Sequence, residues 1–313
     1  MMKYLVILLS DQSVSFCNYN LIDKFEENKL IPLDILMSAI KYAFMEDLFI
    51  QFVLPSFPLP KEYEDIIKKT KSSIIAPIST EYNADVLVAN GFSEFKDFKI
   101  RKDISYALRV NKLDFFKHYN EIKRKLIEIS RLNIIFIDVE TFTEKDFKLY
   151  QEILNEFVFY LKDIILSGKI MQLNILTDRL FKEDMNNCNA GVNAITIAPN
   201  GNFYICPAFY YRKEESVGDL NNGLIIKNSQ LYKLEYAPLC RDCDAYQCKR
   251  CIFLNKQLTR EVNIPSREQC VMAHIERNAS RLLLLALREH INYMPEKEIK
   301  EILYLDPFDN IKK

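Results

Sequence analysis

Seven of the eight cysteines in this chain fall between Cys188 and Cys270, and four of those sit in the twelve-residue stretch CRDCDAYQCKRC. Two residues separate Cys240 from Cys243, four separate Cys243 from Cys248, and two separate Cys248 from Cys251; eighteen more precede Cys270. Upstream, Cys188 is followed after twelve residues by Gly201 and after four more by Cys206. A Cys-x2-Cys pair brings two thiolates to one compact centre, which suits zinc or an iron–sulfur cluster. A zinc ribbon keeps about 15–20 residues between its pairs so that each knuckle has its own turn. Here only four intervene. Tight runs whose cysteines divide between two centres are an iron–sulfur habit, and Pro207 directly after Cys206 agrees with it. Cys270 opens a helical pattern, where the N-terminal dipole favours a thiolate. The spacing points to one or two 4Fe–4S clusters on Cys188, Cys206, Cys240, Cys243, Cys248, Cys251 and Cys270, with zinc as the alternative.

These thiols need a reducing compartment and elements to hold them. The N-terminal MMKYLVILLSDQ has a short apolar run ended by Asp11, which reads as a buried first strand and not as a secretory segment. In VSFC, bulky Phe16 stands where a lipoprotein signal needs a small residue. The run LLLLALREHI is too short to cross a bilayer and ends charged. Lys and Arg total 42 against 43 Asp and Glu, which argues against a broad nucleic-acid footprint. The expectation is a cytoplasmic chain with no nucleic-acid or membrane partner, where clustered cysteines mean metal more than disulfides.

Up to about residue 180, β-type runs alternate with helical patterns. YLVILL, FIQFVL, SSIIAPI, DVLVAN, SYALRV, LNIIFID and QLNIL read as strands. PLDILMSAIKYAFM, KEYEDIIKKT, KLDFFKHYNEIKRKLIEIS and EKDFKLYQEILNEFVFYLKDIILS read as helices. Such alternation predicts an α/β fold with a mostly parallel sheet, either a partial (βα) barrel or an open sheet. After residue 181 the texture changes. AITIAPNGNFYIC reads as a hairpin turning at Asn200-Gly201. The stretch from Ile264 to Ile291 reads as a helix with a capping box from Ser266 to Gln269. The tail after Pro307 reads as frayed.

Taken together, Cys188, Gly201-x4-Cys206, the quartet Cys240, Cys243, Cys248 and Cys251, and Cys270 resemble a SPASM domain, the auxiliary-cluster module of many radical SAM peptide-modifying enzymes. The family pattern is one residue longer in each of the last two quartet gaps. ITIAPNGNFYICPAFYY, CRDCDAYQCKRC and SREQCVMAHIERNASR are similar to the CXXX-repeat peptide maturases. The resemblance covers about the last third of the chain. It implies residues 1–180 as a radical-SAM-like α/β domain and residues 181–313 as a small cysteine-rich α+β SPASM-like domain. It also implies two ligand sets: Cys240, Cys243, Cys248 and Cys270 for one cluster, and Cys188, Cys206 and Cys251 for the other. No cysteine lies just upstream of Cys188, which leaves an open iron or a non-Cys fourth ligand, with Asp184, Asp219 and Asp242 as candidates.

A radical SAM enzyme carries Cys-x3-Cys-x2-Cys after its first strand. Here Cys17 stands alone, with Leu21 and Lys24 at the other two spacings, and no two glycines are adjacent anywhere to form the family's Gly-Gly-Glu stretch. Cys17 is then expected to be a buried free thiol. His274, four residues after Cys270, shares its helix face and is a candidate partner for a cluster, set against a structural histidine; His118 reads as an ordinary helix residue. The resemblance implies an iron–sulfur maturase component acting on a ribosomally made, cysteine-repeat precursor peptide without cleaving SAM itself. The alternatives are a non-catalytic precursor-binding partner of an accessory modifying enzyme, and a zinc-stapled structural protein.

Overall fold

The apolar runs become strands because β-branched and aliphatic side chains fit a sheet buried on both faces. A computed structural model describes residues 2–19, 29–101, 103–185 and 188–311. In chain order the first part holds β1 (Tyr4–Leu8), α1 (Leu33–Met45), β2 (Phe49–Val53), α2 (Lys61–Lys69), β3 (Ser72–Pro77), β4 (Val86–Asn90), α3 (Phe92–Lys96), β5 (Ser105–Val110), α4 (Lys112–Lys125), β6 (Arg131–Phe136), α5 (Glu144–Leu166), β7 (Gln172–Leu173) and α6 (Asp178–Phe181). Then follow β8 (Ala194–Ile197), β9 (Phe203–Tyr204), α7 (Pro207–Tyr211), a two-stranded ribbon β10 (Gly218–Asp219) and β11 (Gly223–Leu224), α8 (Ile252–Thr259), α9 (Arg267–Arg288) and α10 (Pro307–Ile311).

One sheet runs β7-β6-β5-β4-β3-β2-β1-β8-β9. Strands β1 to β8 are parallel to their neighbours and β9 is the antiparallel return of a hairpin. Strands laid down in sequence order, one crossover after another, give a partial barrel. The hairpin from the cysteine-rich part adds to the free side of β1, with Val6 opposite Thr196. Its loop turns at Gly201, whose φ of 81° lies in the left-handed region that glycine enters without a Cβ clash. The fold is thus an α/β partial barrel followed by a small cysteine-rich α+β segment.

Helix α5 buries Phe147, Tyr150, Leu154, Phe157, Leu161 and Ile164, one stripe at helical spacing. Helix α9 packs along it, and the Tyr150 hydroxyl donates to Glu276 Oε1 at 2.9 Å. The capping box is present: Ser266 Oγ accepts from the Gln269 N–H while Gln269 Oε1 accepts from the Ser266 N–H.

Three differences from the sequence reading have physical causes. QLNIL stops being a strand after Leu173, because the Asn174 side chain takes over the pairing, accepting from the Ile134 N–H at 2.8 Å and donating to the Ile134 carbonyl at 2.9 Å. The pattern of α4 ends at Lys125, where Lys123, Arg124 and Lys125 complement the helix C-terminus. The tail after Pro307 forms α10 over Pro307–Ile311, anchored where Asp306 pairs with Arg267 at 3.1 Å.

Candidate functional site

The eight thiols gather around two spaces. The first, of about 290 Å³, is lined by Cys17, Cys188, Cys206 and Cys251. Its other walls include Val6, Gln51, Ile75, Val86, Ala107, Ile135 and Thr196, residues of the strands β1 to β6 and β8, so it lies in the mouth of the partial barrel. The second, also about 290 Å³, is lined by Cys240, Cys243, Cys248 and Cys270, with Leu239, Ala273, His274 and Tyr304. A small separate core of Met185, Ala237, Cys240, Ala245 and Ala273 packs beside it. Among the described residues, no three His, Cys, Asp or Glu side chains converge closely enough to hold one metal ion; the thiols stand around the rims of the two spaces.

The chain reaches these positions by simple local means. Cys206 precedes α7 and Cys251 precedes α8, each as the residue capping the helix start. Neither thiol makes a capping hydrogen bond among the described residues, so each side chain is left to the space it lines. Asn18 lines the first space beside Cys251. At the second space Arg250 N–H donates to Cys248 Sγ at 3.4 Å. Between Cys248 and Cys251 the backbone turns at Arg250, whose φ is 43°, and its two cysteines face different spaces. The buried Arg250 guanidinium is tied to the Lys233 and Tyr232 carbonyls.

Burial pushes the Cys17 and Cys240 thiols up to about 12, and raises Cys206, Cys243, Cys248, Cys251 and Cys270 for the same reason. Such thiols keep their protons at neutral pH unless a cation replaces them. Loading with a metal would therefore release protons and strengthen as pH rises. His274 is 4% exposed; its Nδ1 faces the Leu305 carbonyl and its Nε2 lies 3.5 Å from Cys243 Sγ. Nδ1 must carry the proton to donate to a carbonyl, so Nε2 is left to accept from the thiol. His118 lies elsewhere, stacked on Phe92 and paired with Glu121.

Cys17 is a free, half-buried thiol, and the segment after β1 carries it to the rim shared with Cys188, Cys206 and Cys251. Neither Asp184 nor Asp219 lines that space. Asp219 instead accepts from the Asn221 and Asn222 N–H groups in a turn, and Asp242 lines the second space with its carboxylate on Arg241. Leu21 and Lys24 lie outside the described residues.

The sequence also hid the residues that hold the quartet. Asp244, in the four-residue gap, accepts from Arg277 Nε and Nη2 at 2.8 Å each and from Arg179 Nη2 at 2.9 Å. Burial alone pushes its carboxyl up, but the hydrogen bonds from Arg277 and Arg179 outweigh this and hold it below the ordinary range. Tyr246 lies under the Arg179 guanidinium, 4.4 Å from its ring centre, and Gln247 Nε2 donates to the Ala273 carbonyl at 2.6 Å. All four residues of the gap are thus fixed to α6, α9 or the small core. No spacing rule reveals this, because the partners lie 33 and 65 residues away.

A third space of about 100 Å³ shares Asn18, Lys249 and Cys251 with the first and is also lined by Glu276. Burial pushes the Glu276 carboxyl up from 4.5 to about 7, although Tyr150 and Gln247 hydrogen-bond it. The folded state therefore binds this proton more tightly than the unfolded chain. The stabilisation is complete below the unfolded value and is lost as pH rises through about 7, in total about 3 kcal/mol. Glu276→Gln is expected to remove this slope. Thermal unfolding at pH 5 and pH 8 should show the variant losing less stability between the two; an unchanged slope would refute the assignment.

No protein-family model matches the chain, and no curated protein matches it. Its fold, an α/β partial barrel, is shared with solved structures. Hexahistidine-tagged anSMEcpe with bound AdoMet matches at a TM-score of 0.61 and 14% identity, over 94% of this chain and 97% of that one. Native anSMEcpe with bound AdoMet and Cp18Cys peptide matches at a TM-score of 0.60 and 15% identity, over 91% and 99%. At such identities the likeness is one of fold.

Proposed function

We propose that this chain is an iron–sulfur component of peptide maturation, acting on a ribosomally made, cysteine-repeat precursor in the cytoplasm. The observation that carries the reading is the grouping of the thiols, four around each of two equal spaces, one of them in the barrel mouth. Soft thiolates suit a 4Fe–4S cluster, and a space this large fits a polynuclear group. Such a cluster, when bound, supplies electron exchange and structural bracing. Residues 1–180 would act as the scaffold and residues 181–313 as the cluster-bearing SPASM-like module. Cys240, Cys243, Cys248 and Cys270 would hold one cluster, and Cys188, Cys206 and Cys251 would ligate the other.

The apolar mouth walls would take a peptide segment. Structures of similar fold support this in part: one of them holds the Cp18Cys peptide. Those structures also hold AdoMet, whereas Leu21 and Lys24 stand where two SAM-cluster cysteines are expected here. Cleavage of SAM would then fall to an accessory modifying enzyme. Protein purified without oxygen is expected to carry about eight irons and eight sulfides per chain, to bind the precursor, and to make no 5′-deoxyadenosine from SAM. Stoichiometric zinc without acid-labile sulfide would overturn the iron–sulfur reading, and sustained 5′-deoxyadenosine would overturn the division of labour.

A further inference from the structure

We infer that Cys17 is the fourth thiolate of the centre held by Cys188, Cys206 and Cys251, which closes that centre to substrate. The inference rests on the iron–sulfur reading above and concerns only which residues complete it. Cys17 lies on the same rim as the other three thiols, and with it each space has four cysteines and none is left over.

Three further observations point the same way. First, the segment bearing Cys17 is pinned at its backbone. The buried Arg109 of β5 donates through Nε to the Cys17 carbonyl at 2.8 Å and through its Nη atoms to the Tyr19 carbonyl and Asn90 Oδ1. A cation 92 residues away in sequence holds this loop to the barrel. Second, Tyr19 lines the same space, stacked on Tyr211 with ring centres 5.5 Å apart. Its hydroxyl is buried without a hydrogen-bond partner among the described residues. A buried hydroxyl left unpaired is unfavourable. A cluster or thiolate sulfur in that space would accept its proton. Third, Asn18 lines the same space, so this one segment sends three consecutive side chains to the site. A merely buried thiol needs none of these. Four thiolates also concentrate negative charge, and the Arg109 guanidinium and the Lys249 ammonium flank Cys17.

The test compares unaltered protein with Cys17→Ala, Cys17→Ser and Tyr19→Phe, all prepared without oxygen. Iron, sulfide, electron paramagnetic resonance and thermal unfolding are measured for each. Cys17→Ala is expected to lose about one to four of about eight irons and to change its resonance spectrum. A small added thiol should then alter the spectrum of Cys17→Ala and leave the unaltered protein unchanged. Tyr19→Phe should keep its iron and shift the reduction potential. If Cys17→Ala does not fold, Cys17→Ser, which keeps the volume, carries the test through a changed cluster spectrum. Unaltered iron content and spectrum in the Cys17 variants, or a thiol response in the unaltered protein, would overturn the inference and leave the iron–sulfur reading standing. Absence of iron from the unaltered protein would overturn both.

Discussion

Replacing Cys270 with alanine is expected to remove about half of the iron, about four atoms of eight per chain, and to lower the unfolding temperature. Cys270 is the fourth residue of α9, and its thiol faces the space lined by Cys240, Cys243 and Cys248. The start of the helix does not depend on that thiol, because the Ser266–Gln269 capping box satisfies the first turn. What the substitution removes is the tie between α9 and the quartet loop. Metal binding of this kind is part of the folding free energy, so the loss should appear in both measurements. Circular dichroism should show the helix still formed. Iron content equal to that of the unaltered chain would break the assignment of Cys270 to this site.

Asp244→Ala is expected to be nearly as damaging although Asp244 touches no metal. The change strands Arg179, 3% exposed, and Arg277, 1% exposed. Removing one partner from a buried ion pair costs about 3–5 kcal/mol because the remaining charge stays out of water. Asp244 is itself partly exposed, so the lower end applies, about 3 kcal/mol, on the order of 5–10 °C in unfolding temperature. The loop carrying Cys243 and Cys248 would lose its hold on α6 and α9, and iron at the second site should fall with it. Asp244→Glu, which keeps the charge, should recover part of both. A thermal midpoint within a degree of the unaltered protein would show that the arginines find other partners.

The sequence made some features legible and not others, for physical reasons. The strands β1 to β6 and the long helices α5 and α9 announce themselves because apolar periodicity is local. The hairpin was readable because Asn200-Gly201 supplies the backbone its turn demands. The short helices α3, α7 and α8 escaped because five to eight residues hold too few periods to register. The placement of Cys17 escaped for a different reason. Its neighbours come from residues 188, 206 and 251, and only the assembled sheet, with β8 paired to β1, brings them together. Arg109, Arg179 and Arg277 are likewise invisible to spacing, since each finds its partner across the fold.

The two rings of thiols also differ in when the chain can form them. One draws on residues 240–270 and closes within a single short stretch. The other spans residues 17–251 and cannot close until the β1–β8 pairing has docked the hairpin of the cysteine-rich part onto the edge of the sheet. On loop-closure entropy alone, the longer ring costs about 2 kcal/mol more to assemble. It is the high-contact-order event of the fold, and such contacts form late. The local ring is therefore the early fastening, and the ring at the barrel mouth records that the whole scaffold has been completed.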